Sequence, residues 1–199
     1  MNVTTDLRDG LASSSALLAN AHSLAARAHG NQRQAADGTP YLRHVVAVAR
    51  MLQDAGYGDE VVAAGLLHDV VERSRIGVFE IRARFGAPVA RLVRAMTEPI
   101  GIEPFAVRKA AHRAQVMRAG AEARAIFAAD KLANAMTLRT AIESDGEEAV
   151  RRRVGPRFDD KLDHYQATLE LLELRRPAPP FLESLQDELR QLRPERVQV

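Results

Sequence analysis

The chain contains no cysteine and no tryptophan. Without thiolates it can form no disulfide, iron–sulfur cluster or thiolate zinc site, so a bound metal would have to use histidine, aspartate and glutamate. There is no apolar run of eighteen residues, which argues against a transmembrane helix and a membrane partner. The opening MNVTTDLRDG has neither the basic start nor the apolar stretch of a secretory signal, so a cytoplasmic address is expected. Lysine is scarce: only Lys109, Lys131 and Lys161 occur among 28 basic residues. Arginine suits planar, bidentate contact with phosphate, although a composition that prefers arginine everywhere would look the same. The basic residues are scattered apart from Arg151–Arg153, and with no basic stripe a nucleic-acid partner is not expected. Period-2 strands, internal repeats and low-complexity tracts are also missing.

What remains is helical, and 199 residues suffice for one domain, or one domain and a short appendage. Ser13–Ser15 can cap a helix with Leu17, Ala21, Leu24, Ala25 and Ala28 at helical spacing, ending at His29-Gly30. A polar loop closes on the turn Asp37-Gly38-Thr39-Pro40, and the next helix runs from about Tyr41 to Asp54. Asp59 is expected to cap a third helix ending in His68-Asp69-Val70-Val71-Glu72-Arg73. Further helices are expected near 78–85, after Gly86, over 105–118, over 122–140 and near 157–174. Pro177, Pro179 and Pro180 then form a hinge before an amphipathic helix at 181–192. The predicted fold class is all-α: a compact multi-helix bundle over residues 11–175, with the hinge and C-terminal helix over 176–199. Leu182, Leu185 and Leu189 give that last helix a face that packs back on the domain or onto a second copy, which leaves a homo-oligomer open.

A metal site in such a chain needs ligands gathered from several helices. Imidazole with carboxylate oxygen suits Mn, Fe, Zn or Mg. A cation so held lowers the pKa of water towards about 7 and neutralises charge developing on a phosphoryl group. A lone His-Asp pair carries little information, but three features add to it. His68-Asp69 follows the apolar run Val61–Leu67 and so stands at the core's edge. His44 lies four residues before Val48 and shares its inward face. Asp130 follows Ile126-Phe127-Ala128-Ala129, where a buried carboxylate needs a cation or a base. Residue by residue, the alternative is a pair of satisfied core histidines, a helix-ending Asp69 and a surface Asp130.

The order His, His-Asp, Asp resembles the HD phosphohydrolase superfamily. The words around it are similar to one branch, the alarmone hydrolases related to the RelA/SpoT hydrolase domain and the small metazoan SpoT homologue. The matching segments are residues 25–29 with Gln32-Arg33, then Gly38-Thr39-Pro40-Tyr41-Leu42-Arg43-His44, residues 64–72, Phe85-Gly86 with the stripe to Thr97, and residues 129–134. They arrive in family order. The resemblance implies removal of the 3′-pyrophosphate of guanosine tetra- and pentaphosphate, a step of the stringent response, with a manganese ion (Mn2+) held by His44, His68, Asp69 and Asp130. It gives Glu72 the work on the attacking water and places Arg33, Asn134 and Thr137 beside the nucleotide, with Arg108 and Lys109 near the phosphates.

The chain departs from that pattern where substrate would lie. The family's acidic pair Glu-Asp is here Glu72-Arg73, so Arg73 becomes a candidate phosphate contact. The basic residue usual after Arg33 is replaced by Gln34-Ala35-Ala36, the Arg after Asn134 by Met136, and the Pro after the first ligand His by Val45. Two alternatives follow: an HD phosphohydrolase for another nucleotide or phosphoester, and a degenerate domain that binds a nucleotide or a partner without turnover.

Overall fold

The computed structural model describes residues 15–193, and helices account for the regular structure among them. In chain order they are α1 (Ala16–His29), α2 (Tyr41–Asp54), α3 (Asp59–Leu67), α4 (Val70–Arg73), α5 (Val78–Met96), α6 (Phe105–Arg118), α7 (Ala121–Asp145), α8 (Glu147–Val154), α9 (Phe158–Glu173) and α10 (Leu182–Leu192). No helix of the described residues is long and apolar enough to cross a membrane. The all-α expectation therefore holds, and the start of the chain up to residue 14, including Ser13 and Ser14, lies outside the described residues.

Several boundaries follow directly from local chemistry. The Ser15 hydroxyl accepts from Leu18 N (3.5 Å) and starts α1, and the backbone N–H of Gly30 closes it on Ala26 O. The stripe Tyr41, Val45, Val48, Ala49 and Leu52 of α2 is buried, as its spacing requires. In α5 the backbone kinks at Gly86 (φ 86°), which divides it into the two helices expected from the sequence.

Two expectations need correction. Asp59 is not a cap but the first helical residue after Gly58, where its charge faces the helix dipole's positive end. The third helix does not run through His68-Asp69: it ends at Leu67, and these two residues form a break before α4 begins at Val70. One helix was not foreseen: α8, between Gly146 and Gly155, whose Arg151 bonds Glu147 one turn back and Asp159 on α9. It is a polar helix with one buried residue, Val150, so apolar periodicity could not reveal it.

From Val61 to Leu67 every residue of α3 is buried, so this helix forms the centre of the larger core. It packs most closely on α2, and Gly65 makes the approach possible: a Cβ there would stand 2.6 Å from Leu52 Cδ1 and 3.6 Å from Ala49 Cα. The spine of the molecule is α7. Its first half, Ala123 to Ala133, belongs to the larger core with α1–α6. Its second half, from Ala135 to Ala141, belongs to a smaller core with Phe158, Leu162, Tyr165, Leu169, Leu185 and Leu189. The C-terminal helix thus packs back on the chain, pinned by Arg139 Nε to Glu188 Oε2 at 2.6 Å. Asp130, Lys131 and Asn134 stand at the junction of the two cores.

Candidate metal centre

Within the junction, three side chains bring donor atoms within 4.8 Å of one another: His44 from α2, His68 from the break after α3, and Asp130 from α7. His44 Nε2 lies 3.2 Å and His68 Nε2 3.7 Å from Asp130 Oδ1. All three residues are buried. Both Nε2 atoms are shielded from solvent and lack a hydrogen-bond partner, while His68 Nδ1 is bonded to Gly65 O at 2.8 Å. That bond holds a proton on Nδ1, so the proton that His68 gives up on becoming neutral is the one on Nε2, facing the carboxylate. A buried imidazole pair converging on one carboxylate oxygen is the donor set of a divalent cation, so the residues fit one.

Asp69 falls outside that trio. Its Oδ2 is 3.5 Å from His68 Nε2 but accepts the Tyr41 hydroxyl and faces Arg73 Nε at 3.4 Å. The fourth expected ligand is therefore adjacent, held by two donors. Electrostatics follow the same geometry. Burial alone would lower the pKa of His68, but Asp69 and then Asp130 outweigh it and raise it to about 9. Burial would raise Asp130, yet Lys131, with Nζ 2.5 Å from Oδ2, and the two histidines hold it well below the usual carboxylate range. Asn134 orients that carboxylate by donating to Oδ1 (2.6 Å) and to the Asp130 carbonyl (2.9 Å).

A cavity of about 140 Å³ opens in front of His68, Asp69 and Asp130. Glu72 lines it, and its Oε1 accepts from Glu98 N at 2.7 Å. Desolvation and then the charge of Asp69 push the Glu72 carboxyl up to about 7, the range of a base that works at neutral pH. Arg73 reaches the site and does not turn away: its guanidinium lies 4.0 Å over the Tyr41 ring, and Gln32 Nε2 holds its carbonyl at 2.7 Å.

A second recess, lined by Arg33, Arg73, Asn134, Thr137 and Lys161, adjoins the first. Of the sequence candidates, Arg33, Asn134 and Thr137 thus gather on one wall. Lys109 lines the main cavity but is paired with Glu98, and Arg108 is spent on Glu98 and Glu103. Met136 is exposed and lines a further groove together with Arg43, Met51, Thr137 and His44. Sequence reasoning passed over Tyr41, Lys131, Lys161 and Tyr165, all of which line the cavity. The one signal for the lysines was their rarity: all three in the chain line this cavity.

The family described as HD domain matches residues 21–155. The guanosine-3′,5′-bis(diphosphate) 3′-pyrophosphohydrolase MESH1 of Danio rerio is 38% identical over 125 residues, covering 61% of this chain and 69% of that protein. The Homo sapiens protein of the same name is 39% identical over 127 residues, 62% of this chain and 70% of that one. Among solved structures, one described as a metazoan ortholog of SpoT that hydrolyzes ppGpp and plays a role in starvation responses superimposes with a TM-score of 0.73. Its identity is 29%, over 90% of this chain and 97% of that one. The protein lmo0812 of Listeria monocytogenes gives a TM-score of 0.67 at 34% identity, over 75% of this chain and 97% of that one.

Proposed function

Because this chain belongs to the HD-domain family, we propose that it is a metal-dependent phosphohydrolase acting on a nucleotide pyrophosphate, with guanosine 3′,5′-bis(diphosphate) the first substrate to try. The observation that carries the reading is the convergence of two buried, unpartnered imidazole nitrogens on Asp130 Oδ1. His44, His68 and Asp130 would hold the divalent ion, with Asp69 joining them once it leaves Tyr41 and Arg73, and Mn2+ is the ion we propose. When bound, the ion supplies positive charge to a phosphoryl oxygen and makes water more acidic.

The remaining steps belong to side chains. Glu72, with its carboxyl near neutrality, accepts the proton of the attacking water. Asn134 keeps Asp130 from rotating. Arg73, a donor that cannot accept a proton, offers its guanidinium to phosphate oxygens. Arg33 and Thr137 stand beside the recess where the nucleoside would lie. Loading purified protein with Mn2+ and screening pyrophosphate and phosphate release against a nucleotide panel, alarmones included, tests this. Product from guanosine tetraphosphate is expected, and product in no well would favour a binding domain without turnover.

Arg73 supports a second reading, a related phosphohydrolase with a shifted substrate. It stands at the cavity wall, where the resembling family carries an acid. If Arg73 clamps phosphate, Arg73→Asp should raise KM about tenfold on the best substrate of the panel. Faster hydrolysis of guanosine tetraphosphate by Arg73→Asp would instead mark Arg73 as an impediment to that reaction.

A further inference from the structure

Asp69 is the expected ligand that stands apart from the trio, and two side chains hold it there. Tyr41 opens α2, one turn before His44, and is buried. Its ring is confined on three sides: the rings of His29 and His44 lie 5.0 and 5.3 Å away, and the Arg73 guanidinium 4.0 Å. A ring packed in this way has little room to turn, so its hydroxyl is a fixed point. A phenol, whose ordinary pKa is about 10, is a donor at neutral pH, and this one donates to Asp69 Oδ2. Arg73, the second holder, faces the same oxygen but is exposed.

The oxygen they hold is the one a cation would need. Asp69 Oδ2 lies 3.5 Å from His68 Nε2, and that same atom accepts from Tyr41 and faces Arg73 Nε at 3.4 Å. Two roles are open to Tyr41. As a prop, it would steady Asp69 with an oxygen already among the donor atoms of His44, His68 and Asp130. As a latch, it would keep the carboxylate outside them. The donor atoms within 4.8 Å of one another come from His44, His68 and Asp130, and Asp69 adds none to that group. This is the arrangement of a latch. The apparent affinity for an ion is then lowered by the fraction of molecules whose Asp69 is held back.

We propose that Tyr41 is a positioning residue that latches the metal centre: its hydroxyl withholds Asp69, so the resting site offers a divalent ion three ligands and gains the fourth only on release. This rests on the metal centre proposed above, but its test needs no turnover. Mn2+ is titrated into the full chain by calorimetry. Tyr41→Phe removes a hydroxyl and no charge, and it keeps the ring on which His29, His44 and Arg73 pack. It should tighten Mn2+ binding about tenfold, the worth of one hydrogen bond to a charged group. Asp69→Ala keeps the trio and should still bind Mn2+, and adding Tyr41→Phe to it should change nothing further. An unchanged or weaker affinity in Tyr41→Phe would overturn the latch, as would equal tightening in the Asp69→Ala background. Loss of Mn2+ from Asp69→Ala alone, with binding kept in wild type, would show that Asp69 already ligates at rest and would overturn it too. No Mn2+ uptake by wild type or any variant would remove the metal centre itself, and this inference with it. Uptake that Tyr41→Phe leaves unchanged removes the latch and leaves the metal centre standing.

Discussion

Around the first half of α7 the larger core supplies imidazoles and carboxylates; around the second half the smaller core supplies Lys161 and Tyr165. The two meet at Asp130, Lys131 and Asn134, and the cavity opens along their seam. The end proposed to hold the metal is closely built: His44, His68 and Asp130 are buried, and the orienting bonds to Gly65 O and from Asn134 are short. The opposite end is open and cationic, with Arg33 and Arg73 largely exposed and Lys161 unpaired among the described residues. On the proposed function, one end would set the reaction and the other would choose the molecule that undergoes it. The HD-domain match stops at residue 155, before α9 and α10, so the selecting end lies partly outside the shared pattern.

Substitutions should separate the two ends, beginning with the largest effect. His68→Ala and Asp130→Ala should each lose the divalent ion and all measurable turnover. Full metal occupancy in either, by elemental analysis, would end the assignment of these ligands. Glu72→Gln should keep metal and fold but lose roughly 10²–10⁴ in rate. Unchanged turnover would reduce Glu72 to a wall of the cavity.

A third effect is one of pH. In the metal-free protein His68 has its pKa raised from 6.5 to about 9, so its ion pairs stabilise the fold fully below pH 6.5 and are lost as pH rises through 9. The metal needs the neutral imidazole and displaces that proton, so it binds more tightly as pH rises over the same window. The rise in Tm on adding metal should therefore grow between pH 6.5 and 9. A pH-independent increment by scanning fluorimetry would argue that His68 is no ligand. The smallest effect on chemistry belongs to the far core. Leu185→Ala removes a fully buried side chain of α10 and should cost about 2–4 kcal/mol in denaturant unfolding, with metal content unchanged. Loss of metal in that variant would show that the two cores are not separable.

The sequence was unevenly legible for a physical reason that follows the same division. Metal ligands need fixed residue types at core edges, so His44, His68 and Asp130 stood out against apolar runs, and the structure brings them together. The helices α2 and α6 matched their expected bounds because a buried stripe or flanking prolines defined them. Helix α8 was invisible because charge pairs stabilise it, and such pairs leave no apolar period. Lys161 looked like any solvated residue of an amphipathic helix, since only the fold shows which faces α9 turns to the cavity. The pairing of Asp69 with Tyr41 was equally hidden, because it joins α2 to the break after α3; the contact of Asp69 with Arg73, four residues on, was open to a spacing argument that went unused.

Gly65 gives the metal centre a mechanical property of its own. Its missing side chain sets how near α3 lies to α2, and those two helices carry His68 and His44. Its carbonyl also holds the ring of His68. The position therefore works as a calliper: the jaws are the two helices, and the reading is the gap between two imidazoles. A single methyl group at residue 65 would meet Leu52 Cδ1 and touch no ligand, so it would press on the jaws without entering the gap between them.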